Sequence, residues 1–196
     1  MPREVELKSL VDDLAARRRQ LEAAGATLVF EGRLADRRYD TANRSLSASD
    51  EVLRLRVAED DSGSRATVEW KGPTRHEGGY KVRDEIGADV VDGAALAAIL
   101  EKLGYTVALE IDRHIAQYEL GDAVVRFEEY PRMDTLVEVE GTPDAIERAI
   151  SALGMERAGF TTERLASFIA RFEQRTGTPA AVSRRELSAA GEVARE

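Results

Sequence analysis

Glu4-Val5-Glu6-Leu7-Lys8 is the stretch whose reading decides the fold. In an extended strand successive side chains point to opposite faces, so Glu4, Glu6 and Lys8 share one face while Val5 and Leu7 share the other. One such strand could lie on any sheet surface, and its meaning comes from repetition. Val52-Leu53-Arg54-Leu55-Arg56-Val57 repeats the device with positive sign, placing Arg54 and Arg56 opposite Leu53, Leu55 and Val57. The strand Arg65 to Lys71 sets Thr67, Glu69 and Lys71 against Val68 and Trp70, and Tyr80 to Ile86 aligns Lys81, Arg83 and Glu85. Late in the chain Arg126 and Glu128 face away from Val125 and Phe127, and Glu138 and Glu140 face away from Val137 and Val139.

The stretches between these strands are turns and helices. Glu59 to Ser64 has hairpin-turn character, Asn43 to Asp50 and Thr74 to Gly79 read as loops, and Gly121-Asp122 is a turn. Thr27 to Phe30 and Arg33 to Thr41 read as two strands, and Thr106 to Tyr118 as one or two more. Helices are expected over Val11 to Ala24, closed by Gly25; from Asp92 to Leu103, with Leu96, Ile99, Leu100 and Leu103 as an apolar stripe; and from Thr142-Pro143 to Leu153. A last one spans Thr162 to Gln174, with Leu165, Phe168, Ile169 and Phe172 inward. The run Arg17 to Arg19 reads as a solvated helix face. Residues 1–175 therefore form one domain, and 176–196 a linker and C-terminal tail without chemistry, with Ser183 to Glu196 read as a short polar helix or a frayed end.

Composition narrows the classes. The chain has 196 residues, enough for one domain with a sizeable core, and 33% are charged, above the usual quarter. The net charge of −9 argues against general nucleic-acid binding, and there is neither a signal-peptide-like start nor an apolar run of membrane-spanning length. With no cysteine, thiolate metal sites are excluded and a cytoplasmic location is expected.

Hairpin-connected strands make a largely antiparallel sheet, so the fold class is α+β. The apolar faces must be covered and the charged faces must stay wet or bind something. A sheet closed into a barrel, charges inside and helices outside, meets both needs and removes the unpaired edges. An interior holding Lys8, Arg54, Arg56, Lys71, Arg83, Arg113 and Arg126 calls for a polyanion, since unpaired buried charge is costly. Carboxylates share those faces: Glu4, Glu6, Glu85, Glu128, Glu138 and Glu140. Two Glu-x-Glu pairs at strand spacing repel unless a cation lies between them, and hard oxygen ligands suit Mg²⁺ or Mn²⁺. His76 and His114 fall outside this pattern. A metal beside a basic clamp is the apparatus of phosphoryl transfer.

With those residues in place the sequence resembles the CYTH superfamily, the triphosphate tunnel metalloenzymes. Glu4-Val5-Glu6-Leu7-Lys8 matches its ExExK signature, and further family strands follow in order through Leu53 to Arg56, Trp70-Lys71-Gly72-Pro73, Arg83-Asp84-Glu85, Arg113, Phe127-Glu128 and Glu138-Val139-Glu140. The resemblance covers about residues 2 to 173. It implies an eight-stranded antiparallel β-barrel that holds a linear triphosphate on Lys8, Arg54, Arg56, Lys71, Arg83 and Arg113, with metal on Glu4, Glu6, Glu128, Glu138 and Glu140. Lys8 and Glu6 are the expected catalytic pair. The departures are Glu128 in place of a usual aspartate, Glu69 in place of a hydroxyl residue, and Thr161-Thr162 in place of Ser-Tyr. Ile111-Asp112-Arg113 stands where Lys-x-Arg is common, leaving Arg126 as the expected substitute cation.

Triphosphate hydrolysis is the preferred reading, with a small-molecule triphosphate as partner and a monomer or homodimer as the assembly. The alternatives are a class IV adenylyl cyclase, a non-catalytic triphosphate or polyphosphate binder, and a barrel whose interior charges are only structural ion pairs.

Overall fold

The structure, a computed structural model, describes residues 3–193. In chain order the elements are β1 (Arg3–Leu10), α1 (Leu14–Ala23), β2 (Thr27–Thr41), α2 (Ser45–Ala48), β3 (Val52–Asp60), β4 (Gly63–Lys71), β5 (Arg75–Glu77) and β6 (Tyr80–Val90). They continue as α3 (Gly93–Lys102), β7 (Tyr105–Leu120), β8 (Ala123–Glu129), β9 (Leu136–Glu140), α4 (Pro143–Ala152), α5 (Leu165–Thr176) and α6 (Arg184–Val193). The strands are ordered β1-β9-β8-β7-β2-β3-β4-β6, every neighbour antiparallel, and the ladder from Arg3↔Asp84 to Glu6↔Lys81 joins β6 back to β1. This is the closed eight-stranded antiparallel barrel of an α+β fold, with β5 added along β6 inside the stretch expected as a loop.

Alternation explains which side faces out. Leu7, Val125, Phe127, Val137 and Val139 leave the barrel on the faces opposite the charges, and each is at most 1% exposed. They pack with Tyr118 against Leu21 of α1, against Ile146, Ala149 and Ile150 of α4, and against Leu153 and Phe160. Burying each large aliphatic or aromatic side chain contributes roughly 1.5–3 kcal/mol, so this sheet–helix layer is the main core. The helix starts are capped: Asp13 accepts from the Ala16 N–H, Asp92 from that of Ala95, and Thr142 from that of Ala145 with Pro143 following.

Several expectations are corrected. β2 is one long strand rather than two; a register shift between Leu28 and Phe30 hides its alternation. On α3 only Ala97 and Leu100 are buried, against Tyr39 and Leu55, while Ile99 and Leu103 are 53% and 68% exposed because only one edge of the apolar stripe meets the sheet. The arginine run is not simply solvated: Arg17 donates to the Leu153 and Gly154 carbonyls, and Arg18 donates to the Tyr118 hydroxyl and to Glu31. Beyond α5, Ala181 pairs with Arg132, the Val182 carbonyl accepts from the Asp112 N–H, and Ala181 to Ser183 are buried. Residues 194–196 of the expected tail lie outside the described residues. No helix among the described residues is long and apolar enough to cross a membrane.

One end of the barrel interior is apolar. Leu34, Ala58 and Ile115 lie two residues beyond Asp36, Arg56 and Arg113 on the same strand faces, and with Phe30 they form a separate buried cluster. Gly32 permits this closure, since a Cβ there would lie 2.2 Å from the Glu59 carbonyl oxygen and 3.0 Å from the Phe30 ring.

Candidate active site

The interior above that apolar end is a cavity of about 470 Å³. All the candidate residues line it: Glu4, Glu6 and Lys8 from β1, Arg54 and Arg56 from β3, Lys71 from β4, and Arg83 and Glu85 from β6. Arg113 comes from β7, Arg126 and Glu128 from β8, and Glu138 and Glu140 from β9. His76 and His114 are exposed, and His114 lies 3.8 Å from Glu129. Basic side chains outnumber acidic ones around the cavity, although the whole chain carries a charge of −9.

Two walls differ in character. On the β1–β9 wall, Glu6 lies across from Glu140 and Lys8 across from Glu138 in the ladder. Lys8 is 3.2 Å from Glu6 and also contacts Glu138, whose other oxygen accepts from Arg126 at 2.6 Å. Glu6 further accepts from Lys81, and Glu4 from Lys71 at 2.5 Å. Burial raises the Glu6 carboxyl, but Lys8 and Lys81 overcome it and hold it below the usual carboxylate range. Burial lowers the Lys8 ammonium, opposed by Glu6 and Glu128. Glu140 has no basic partner among the described residues; burial and the Glu4 carboxylate raise it.

The β2–β3–β7 wall is a fan of arginines on one buried carboxylate. Asp36 of β2, with no side-chain exposure, accepts from Arg56 at 2.7 and 2.9 Å, from Arg113 at 3.0 Å and from Arg54 at 3.4 Å. Burial raises the Asp36 carboxyl, yet Arg113, Arg54 and Arg56 hold it well below its ordinary value. Arg54 is also held by Glu69, and Arg113 donates at 2.8 Å to Glu128. Glu128 is brought down to about 2 against burial by Arg113 and Lys8, and it accepts from the Tyr130 hydroxyl at 2.7 Å. Arg83 differs from the other cations. Its guanidinium donates to the carbonyls of Gly72, Asp50 and Lys71, bracing the Gly72-Pro73 turn beside the cavity.

Sequence reasoning left out Asp36, Arg38 and Tyr130 and gave Lys81 a charged-face position but no role; all but Asp36 line the cavity. The Asp36-x-Arg38 alternation was the available signal, masked by the charged outward neighbour Arg37. Arg126, the expected substitute cation, is tied to Glu138 and Gln117, while Ile111 lines the cavity with Leu109. Thr161 pairs with Lys8 through the backbone.

The oxygen donors Glu4, Glu6 and Glu140 suit a hard divalent cation, and the unpartnered Glu140 beside Glu4 and Glu6 is the crowding a cation relieves. As they stand, no three carboxylates or imidazoles of the described residues are grouped to hold a metal. Glu4 and Glu6 are turned instead to Lys71, Lys8 and Lys81.

The class the chain belongs to is that of closed antiparallel barrels with an ion-lined interior and helices on the outer face. Within that class the chain belongs to the CYTH domain family, whose model matches residues 2–148. No curated protein matches it. Among solved structures it is similar to a candidate adenylate cyclase from Vibrio parahaemolyticus, with TM-score 0.72 and 19% identity over 85% of this chain and 97% of that one. The PH1819 protein of Pyrococcus horikoshii aligns with TM-score 0.71 and 20% identity over 86% and 98%. HpAC1 of Hippeastrum, described as having a dominant triphosphatase activity, aligns with TM-score 0.60 and 14% identity over 89% and 96%.

Proposed function

We propose that this protein is a divalent-metal-dependent hydrolase of linear triphosphates, inorganic or organic. The observation that carries the reading is the excess of guanidinium and ammonium groups around a wet cavity in an otherwise acidic chain. The phosphate chain lies between the two walls, its non-bridging oxygens accepting from Arg54, Arg56 and Arg113 on one side and from Lys8, Lys71 and Arg126 on the other. Arg83 and Glu85 hold the rim of the same cavity. Glu6 orients the attacking water, and Lys8 donates to the terminal phosphoryl group. The water oxygen bonds to the terminal phosphorus, the bridging P–O bond breaks, and the water's proton passes to a carboxylate of the β1–β9 wall. Glu4, Glu6 and Glu140, together with Glu128 and Glu138, would hold Mg²⁺ or Mn²⁺, which would supply charge neutralisation at the phosphate oxygens.

Adenylyl cyclisation uses the same clamp and is the second reading. The apolar rim of Val52, Leu109, Leu165, Ile169 and Val182 favours it by offering room to a nucleoside. Hydrolysis is preferred because Tyr130 is the one aromatic side chain in the described lining and its hydroxyl is engaged by Glu128, so the lining offers a base a single ring.

Incubation with tripolyphosphate, ATP and thiamine triphosphate in Mg²⁺ or Mn²⁺, with products resolved by anion exchange, tests the assignment. Orthophosphate is expected, and cyclic AMP with pyrophosphate would instead establish the cyclase. Lys8→Ala and Glu6→Ala should each abolish turnover; full rates in both would refute the site. If wild type binds triphosphate equally with and without metal and turns nothing over, it is a binding module.

A further inference from the structure

Arg38 stands apart from the other cations of the cavity. It lines the wall from β2, across from Arg54 on β3 and from Leu109 on β7. Among the described residues its guanidinium has no hydrogen-bond or ion-pair partner, and its Nε is buried and unsatisfied. The surrounding carboxylates are already engaged: Asp36 by Arg54, Arg56 and Arg113, Glu69 by Arg54, and Glu128 by Arg113 and Tyr130. Burial and the like charge of Arg54, with a further contribution from Arg113, push Arg38 down to about 10 despite Asp36. An arginine side chain carries five donors and no acceptor and stays charged at neutral pH. A guanidinium so placed lacks an anion among the described residues.

Its position says where that anion lies. From Arg56 the β3 face runs one way to Ala58 and the apolar end, and the other way through Arg54 and Val52 toward Asp50. Asp50 pairs with the 60%-exposed Arg164, so this second end is the wet mouth. Arg38, across from Arg54, is thus one pleat nearer the mouth than Asp36 and Arg56.

We propose that Arg38 is an anion-binding residue that grips the phosphoryl group nearest the mouth. This rests on the triphosphate reading. Bidentate donation from its fork matches two non-bridging oxygens of one phosphoryl group.

The test compares wild type, R38M and R38K by calorimetric titration with inorganic tripolyphosphate and by thermal melting with and without it. Methionine keeps the apolar stem and removes the charge. R38M is expected to bind tripolyphosphate at least ~10-fold more weakly, about 1.4 kcal/mol. Its anion-free melting temperature should be equal to or above that of wild type, because an unpaired, repelled cation has been removed. R38K should recover part of the affinity. Wild-type binding with R38M within twofold of it would overturn the role of Arg38 while leaving the triphosphate reading intact. Weaker binding together with a lower anion-free melting temperature would make Arg38 structural and also overturn the proposal. Failure of wild type itself to bind would remove the triphosphate reading, and the assignment of Arg38 with it.

Discussion

Asp36→Asn tests whether one buried carboxylate organises the arginine wall. The substitution preserves volume but removes the charge shared by Arg56 at 2.7 Å, Arg113 at 3.0 Å and Arg54 at 3.4 Å, in a side chain with no solvent exposure. Removing one partner from a buried ionic network costs roughly 3–5 kcal/mol; here Arg56 loses its one carboxylate among the described residues, while Arg54 and Arg113 keep only Glu69 and Glu128. At roughly 2–4 °C per kcal/mol for a chain of this length, the melting temperature should fall by roughly 6–20 °C near neutral pH. The pH dependence has a definite sign. The native Asp36 carboxyl is held below its unfolded value, so its stabilisation is complete above about pH 4 and is lost as pH falls through the native value. The wild-type and variant melting curves should therefore approach each other in acid. Added tripolyphosphate should restore part of the variant's loss, since the anion occupies the same guanidiniums. Thermal melts across pH, with and without the anion, provide the assay. A variant that melts within about 1 °C of wild type at neutral pH would refute the central role of Asp36, given the size expected for a buried network.

Three further substitutions probe the supporting structure. Arg18→Ala removes the bonds from α1 to Tyr118 at 2.8 Å and to Glu31 at 2.8 and 2.9 Å; it should lower denaturant stability by about 1 kcal/mol after solvent screening while leaving turnover per folded molecule unchanged. Asp40→Ala removes the acceptor that ties Leu46 and Ser47 of α2 to the end of β2, at a cost of about 1–2 kcal/mol. Burial raises the Asp40 carboxyl, but hydrogen bonds from Ser47, Leu46 and Thr41 bring it down to about 2, so this contribution should fade only as pH falls from about 4 toward that value in acid melts. Gly32→Ala places a Cβ 2.2 Å from the Glu59 carbonyl oxygen and should lower the urea midpoint by the equivalent of roughly 1–3 kcal/mol; an unchanged midpoint would show that the closed end yields freely.

Much of the barrel was legible because its strands obey a period of two with little interruption. Glu4, Glu6 and Lys8 alternate cleanly with Val5 and Leu7, and Leu7 lies in the outer core while the charged three line the cavity. β2 broke the rule: consecutive Asp36, Arg37 and Arg38 blur the alternation, so the residue at the centre of the arginine fan was read only as part of a strand. The apolar end was hidden for a related reason, since Leu34, Ala58 and Ile115 sit at charge-face positions and register alone reveals which strands bring them together. The role of Val182 in the lining could not be read from a polar tail, because it depends on a backbone bond to Asp112 seventy residues earlier in the chain. Charge type in the sequence likewise did not distinguish Arg83, held by carbonyls, from Arg38, without a partner among the described residues.

The most direct test is a crystal structure of the protein grown with tripolyphosphate. The account predicts a phosphate chain inside the barrel, between Lys8 on one wall and Arg54, Arg56 and Arg113 on the other, with Arg38 on the phosphoryl group nearest the mouth. Full occupancy of the anion elsewhere on the protein, with the barrel interior holding only its own ion pairs, would contradict it.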